Sequence, residues 1–380
     1  MFFDKVEKEQ KEYYEKLLKI VGSLSNLFTD SSTPYLYYRV AENLFCKSFN
    51  ALNLARSDCS VDASKNSTGF GLKTFLFNNG NTYQKIAEFN KDSYLYKDLK
   101  NKELIEEISS LRNKRIKSTK RIHNLDNMIY HCVLRNTNKF SIYEEEIEEI
   151  NIENIKNIKE NKNSIHFEDN KNEYSFLVTK STLTKKFKTN RDKIIHSFDV
   201  SILDDPFTLL ENLDLFKITK PFDHIKDTIY LPLYSDKSKE VQVKSGLNTW
   251  NAKSRNGKQR NFNEVYIPIP LPFIRKFFPK FFPSREIPFN LNLPNRKKLS
   301  VKVCQDDGKA LTSNPNEDLG KWILRDVLNL GEGELLTKEK LDTLGIDSVR
   351  IDKIDDLNFD INFSKVNSYE DFKLSKEENL

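Results

Sequence analysis

Cysteine is scarce: four residues, at 46, 59, 132 and 304, with no CxxC pair among them. That excludes zinc-ribbon and thioredoxin spacings and fits a reducing, cytoplasmic setting. Glycine (11) and proline (12) are also few, which excludes collagen-like and linker-like sequence. No run approaches the roughly 20 apolar residues of a membrane span, so no membrane association is expected. The opening MFFDKVEKEQKEYYEK is charged at once, unlike a secretory signal. Charge of one sign is missing as well. The 61 Lys+Arg against 56 Asp+Glu leave a net +5, too balanced for a histone-like polycation. GxSxG, Walker and GxGxxG motifs are absent. What the chain has in plenty is aromatic residues, 27 Phe and 15 Tyr, a supply that argues against wholesale disorder. Its 380 residues are enough for two or three domains with a sizeable core. The abundance of Lys, Asn and Ile reads as AT-rich genomic drift.

Apolar periodicity predicts helices over 5–29 and 35–50, and a third over 103–121 with a basic C-terminal half. Between them, FGLKTFLF (70–77) and TYQKIAEFN (82–90) read as strands. The Asn-Asn-Gly-Asn turn between them predicts a hairpin. The Glu/Asn/Ile/Lys stretch 144–163 reads as a solvated helix face or low-complexity insert. SIHFED and EYSFLVT read as a second hairpin. Residues 231–300 carry fourteen Lys/Arg against four Asp/Glu, a local excess of ten. Their short runs TIYLPLY, EVQVK, EVYIPIP, IPFNLNL and KLSVKVC, broken by prolines, suggest a curled, barrel-like sheet. A helix is expected over 318–329 with Trp322 inward, and FIRKFFPKFFP (273–283) reads as packing. The boundaries are set at 1–225, 226–366 and an acidic, frayed tail 367–380.

The stretch 57–91 offers a carboxylate, Asp62, ahead of one strand, Lys73 on that strand, and a second carboxylate, Glu88, on the next. In a hairpin centred near Asn79, Lys73 would face residues near Glu88, although sequence leaves the register open. Two carboxylates and a lysine suit metal-assisted phosphodiester hydrolysis. Hard oxygens hold Mg²⁺, and the lysine orients the attacking water and offsets phosphate charge. Glu42 on the preceding helix adds a further carboxylate. Asp58 is a weaker candidate, and His123 and His131 lack a zinc spacing.

This Asp…Lys…Glu arrangement resembles the PD-(D/E)XK nucleases, in particular restriction endonucleases whose catalytic glutamate has moved beyond the lysine. Gly71 stands where that pattern has its acid, and Val61 where it has proline. An alternative register uses Asp62, Glu88 and Asn90, with Lys91 nearby. The resemblance implies a mixed α/β sheet flanked by helices, with Asp62 and Glu88 as Mg²⁺ ligands and Lys73 and Glu42 beside them.

Further along, SGLN with Trp250, NEVYIPIP, QDDGKALTSNPN and the LGKW helix resemble the B3-like DNA-recognition domain of some type II restriction enzymes. The resemblance implies an all-β-rich pseudobarrel in an α+β or α/β protein, gripping the major groove with two arms. Asn and Arg side chains read adenine and guanine edges there, while lysines hold phosphates. The first arm would offer Lys244, Ser245, Asn248, Trp250, Asn251 and Arg255. The second would offer Gln305, Asp306, Lys309, Ser313 and Asn314.

The expectation is a bacterial, cytoplasmic type II restriction endonuclease acting on duplex DNA with Mg²⁺. It would work as a homodimer beside a cognate DNA methyltransferase. The rival readings are a DNA-binding regulator without nuclease chemistry and a stacking RNA binder.

Overall fold

The computed structural model describes residues 1–54, 59–212, 227–254, 256–285 and 287–378, apart from the side chains of residues 79, 91 and 306. The chain divides into two compact units. Unit 1 is Met1–Ile116 with Leu125–Asp223, and unit 2 is Lys117–Asn124 with His224–Leu380. The described part is mixed α and β, and no described helix is long and apolar enough to cross a membrane.

Unit 1 holds two sheets. The first has six strands in the order β1 (Leu52–Asn53), β2 (Ala63–Lys65), β3 (Thr68–Leu76), β5 (Asn127–Asn136), β6 (Lys139–Glu146) and β11 (His196–Asp199). The second runs β4 (Asn81–Glu88), β10 (Thr182–Lys188), β9 (Glu173–Leu177), β8 (Ser164–Glu168) and β7 (Lys156–Asn161). Side-chain alternation gives β3 two buried faces. Phe70 and Leu72 pack with Phe45 and Phe49 of α2 (Tyr38–Phe49) and Leu18 of α1 (Lys8–Ser23), while Phe75 packs with Cys132, Leu134 and Phe187. Asn50 ends α2 in the left-handed region, φ 49°, where asparagine is tolerated. β3 pairs in parallel with β5, a pairing that needs a long crossover. That crossover contains β4 and α3 (Asn101–His123).

The hairpin expected between 70–77 and 82–90 does not form. β3 pairs with β2 and β5, whereas β4 pairs antiparallel with β10. A strand buried on both faces belongs in the middle of a sheet, flanked on both edges. The turn Asn78–Gly80 therefore hands the chain to the other sheet. The hairpin that does form joins β2 to β3 through Asn66 and Ser67, both at positive φ (46° and 55°), the geometry of a tight two-residue turn. The second predicted hairpin is present as β8–β9. The 144–163 stretch is not a helix. It is the end of β6, a single turn at Ile152–Asn154, and the exposed edge strand β7.

Unit 2 is built on a seven-stranded sheet, β12 (Thr228–Pro232), β17 (Ile346–Lys353), β18 (Asn358–Lys365), β14 (Phe289–Asn292), β15 (Lys298–Cys304), β16 (Ala310–Ser313) and β13 (Ile267–Pro268). The pairings are antiparallel except β14 with β18. The end strands β12 and β13 lie against one another, so the sheet is nearly closed and barrel-like. Leu319, Trp322, Ile323 and Val327 of the 318–327 helical segment fill its core. EVQVK is not a strand but a loop. The supposed frayed tail is the helix α5 (Ser368–Glu377), held down by the fully buried Tyr369.

Candidate active site and nucleic-acid interface

In unit 1, three of the four residues singled out for catalysis sit in one electrostatic neighbourhood. Asp62 enters β2 with its N–H donating to the Phe70 carbonyl at 2.7 Å, and its Oδ2 accepts from the Leu72 N–H at 2.7 Å. The carboxyl is thereby latched to β3 next to Lys73. Glu42, on α2, is 5% exposed and accepts from Arg39 Nη1 at 2.7 Å. Burial, and then the Asp62 charge, push the Glu42 carboxyl up to about 7. Burial pushes Asp62 up as well, opposed by Lys73 and the Leu72 amide. Burial lowers the Lys73 ammonium, opposed chiefly by Asp62. Two carboxyls that resist ionisation beside a desolvated lysine form a polarised, under-neutralised cluster.

Glu88 is elsewhere. It ends β4 in the second sheet, where Lys85 and Asn90 bond its carboxylate. It is not among the charges that shift Glu42, Asp62 or Lys73. With the hairpin gone, the cross-strand pairing expected between Glu88 and Lys73 goes too. The alternative register fares no better, since Asn90 follows Glu88 out of the first sheet and the Lys91 side chain is not described. Asp58 lies outside the described residues. Gly71 has a packing reason to lack the acid of the pattern. A Cβ there would meet the Tyr130 ring at 3.0 Å and Ile147 at 3.1 Å.

Sequence reading missed two cations. One is Arg39, which holds the Glu42 carboxylate. Arg112 of α3 is 3% exposed and donates to Ser60 Oγ at 2.9 Å and Tyr130 Oη at 3.1 Å. It thereby fixes Ser60, two residues before Asp62, and adds to the fields that lower Lys73. Basic residues on the buried side of a helix were the only signal. His131 is a core residue, bridging Glu144 (2.8 Å) and Tyr14 (3.2 Å). His123 is buried, and among the described residues neither ring nitrogen has a hydrogen-bond partner.

The donor set suits a hard cation in a limited way. Among the described residues no group of three or more His, Cys, Asp and Glu could hold a metal. Glu42 and Asp62 form a pair, and Asp62 Oδ1 makes no hydrogen bond to described residues. Mg²⁺ is commonly held by one or two carboxylates, with water and phosphate oxygens completing six positions.

In unit 2, the two expected arms border one cleft of about 870 Å³, lined by Gln242, Ser245, Tyr266, Gln305 and Lys309 among others. The arm residues divide. Lys244, Gln305, Lys309 and Asn314 are exposed and Ser245 is half-buried. Three others serve the fold instead. Asn248 is 1% exposed; its amide donates to Leu336 O at 2.8 Å and Gln242 O at 3.1 Å, and its oxygen accepts from Leu336 N at 3.0 Å. Trp250 lies in the core against Phe262. Ser313 is fully buried between Pro315 O and Leu319 N. Asn251 is half-buried and donates to Val243 O at 3.1 Å. Arg255 and the Asp306 side chain lie outside the description. Arg275, from α4 (Leu271–Phe277), ties down the second arm through Asp307 O at 2.8 Å. That arm turns through Gln305, Asp307 and Gly308, all at positive φ.

Residues 223–355, about a third of the chain, match the family described as the NgoFVII C-terminal B3-like DNA-binding domain. Unit 2 is thus similar to a restriction-enzyme DNA-recognition domain. No curated protein matches the chain.

Proposed function

We propose that the chain is a sequence-specific DNA endonuclease of the type II restriction kind. The observation that carries the catalytic half is the latch of Asp62 onto the Leu72 amide, which seats a carboxylate beside Lys73 and within the field of Glu42. The similarity of residues 223–355 carries the DNA-reading half. Duplex DNA would lie across the arms of unit 2, with Lys244 and Lys309 on phosphates and Gln305 and Asn314 at base edges.

At the cleavage site Asp62 and Glu42 would hold Mg²⁺, which supplies Lewis acidity and a more acidic bound water. Lys73, desolvated by burial and facing the Asp62 carboxyl, would orient the attacking water and compensate the phosphate. Arg39 would keep the Glu42 carboxylate turned toward Asp62, and Arg112 would keep the 60–62 segment in place. Phosphodiester hydrolysis would leave 5′-phosphate ends. A cut through both strands needs two such centres, hence a homodimer on DNA and a methyltransferase guarding host sites.

The second reading, a DNA-binding regulator without chemistry, is favoured by the finding that, among the described residues, no third carboxylate joins Glu42 and Asp62 in a metal-holding group. Purified protein with Mg²⁺ and unmethylated phage DNA separates the two. Discrete fragments, lost on adding EDTA, support the endonuclease. A gel shift with intact DNA supports the regulator.

A further inference from the structure

The family match ends at residue 355, yet α5 lies beyond it and is bonded to the root of the first arm. The turn 235–240 closes by Ser235 N to Glu240 O at 3.0 Å and Lys239 N to Ser235 O at 2.9 Å. Asp236 in that turn takes Lys239 at 2.8 Å and Lys373 of α5 at 3.2 Å. Glu370 of α5 takes Lys239 at 2.7 Å and the Tyr234 hydroxyl at 2.8 Å. Phe372 of α5 packs on Tyr230 and Phe273, and Tyr369 is buried. The turn in turn holds the arm. Gln242 donates to Ser238 Oγ at 2.7 Å, and Asn248 reaches back to Gln242 O. Lys373 and Glu377 also line the cleft.

We propose that α5 is a positioning brace for the first DNA-reading arm, with Asp236, Lys239, Glu370 and Lys373 setting where Gln242–Ser245 stands against the duplex. This rests on the DNA-reading role proposed above. The paired side chains are 27–51% exposed, so each pair contributes little to stability. Tyr369 and Phe372 anchor the helix without them. What the ion pairs do is restrict the turn to one position, and base discrimination depends on placement to a fraction of an ångström.

Asp236→Asn separates this from simple electrostatics. It removes a negative charge near the cleft, so charge alone would tighten binding to any duplex. The full-length protein and the variant are each used to select duplexes from a random pool, and affinities are then compared for the selected site and its single-base variants. The brace predicts unchanged or tighter binding to random duplex, with discrimination at the first-arm bases reduced about fivefold, the scale of one mismatch. Lys373→Arg should keep discrimination and Lys373→Met should lose it, with melting temperatures within a few degrees of the parent. Should Asp236→Asn lower the melting temperature strongly, Lys373→Met against Lys373→Arg decides alone. Discrimination unchanged in both Asp236→Asn and Lys373→Met overturns the brace and leaves the DNA-reading role standing. Failure of the parent protein to select any sequence overturns the DNA-reading role itself.

Discussion

Glu42, Asp62 and Lys73 are ordinary residues made unusual by where their backbones put them. Neutralising either carboxyl while keeping its shape, as Glu42→Gln or Asp62→Asn, is expected to lower the cleavage rate by about 100-fold or more. Lys73→Ala should do the same, with the gel shift retained in all three. Glu88→Ala should leave the rate within about threefold, since the Glu88 carboxylate ends β4 in a half-exposed pair with Lys85 and a bond from Asn90 and surface pairs contribute little. Supercoiled-plasmid nicking with Mg²⁺ checks all four. His123 gives a pH prediction. Burial pushes its imidazole down from 6.5 to about 4. The unfolded chain therefore takes up the proton first as pH falls. Stability is full above the unfolded value and is lost as pH drops toward the folded one. Denaturant titrations should show a loss of about 2 kcal/mol between pH 7.5 and 5 from this group, and His123→Leu should remove that part of the slope.

At the level of elements, β3 and the first arm each reverse a local signal. Asn-Gly between two alternating runs is a sound hairpin pattern, but β3 carries Phe70, Leu72 and Phe75 toward two different cores. Burying both faces is worth more than one turn's preference, so β4 goes to β10. In the arm, residue types with base-reading chemistry proved to be pins of the loop. Asn248→Ala is expected to lower stability by about 2–3 kcal/mol, because it leaves the Leu336 amide and carbonyl unsatisfied. Trp250→Ala should cost about 3–5 kcal/mol. Thermal melting without DNA checks both. Lys244→Ala and Lys309→Ala should leave the melt unchanged, and each should lower the magnitude of the salt slope of DNA binding by about 0.9. A steeper or equal slope counts against that lysine as a phosphate contact.

Across the whole molecule, positive charge concentrates in 231–300 against a nearly neutral chain, and the match to a B3-like DNA-binding domain over 223–355 falls on that segment. Composition could mark it because charge excess and aromatic supply are additive properties of a segment. The helices at 8–23, 38–49 and 101–123, the β8–β9 hairpin and the inward face of the 318–327 segment were legible for a related reason. Their apolar periodicity is a local property that packing had only to accept. Which carboxylate stands beside Lys73 was not local. It depended on which strand edge β3 offers to which neighbour, and that is settled by the burial of both its faces against partners as far off in the chain as Leu18 and Phe187. The same holds for α5. Its charges suggested a loose tail, and only the docking of Tyr369 and Phe372 made it part of the domain, because long-range packing stabilises a helix that its own sequence would leave marginal.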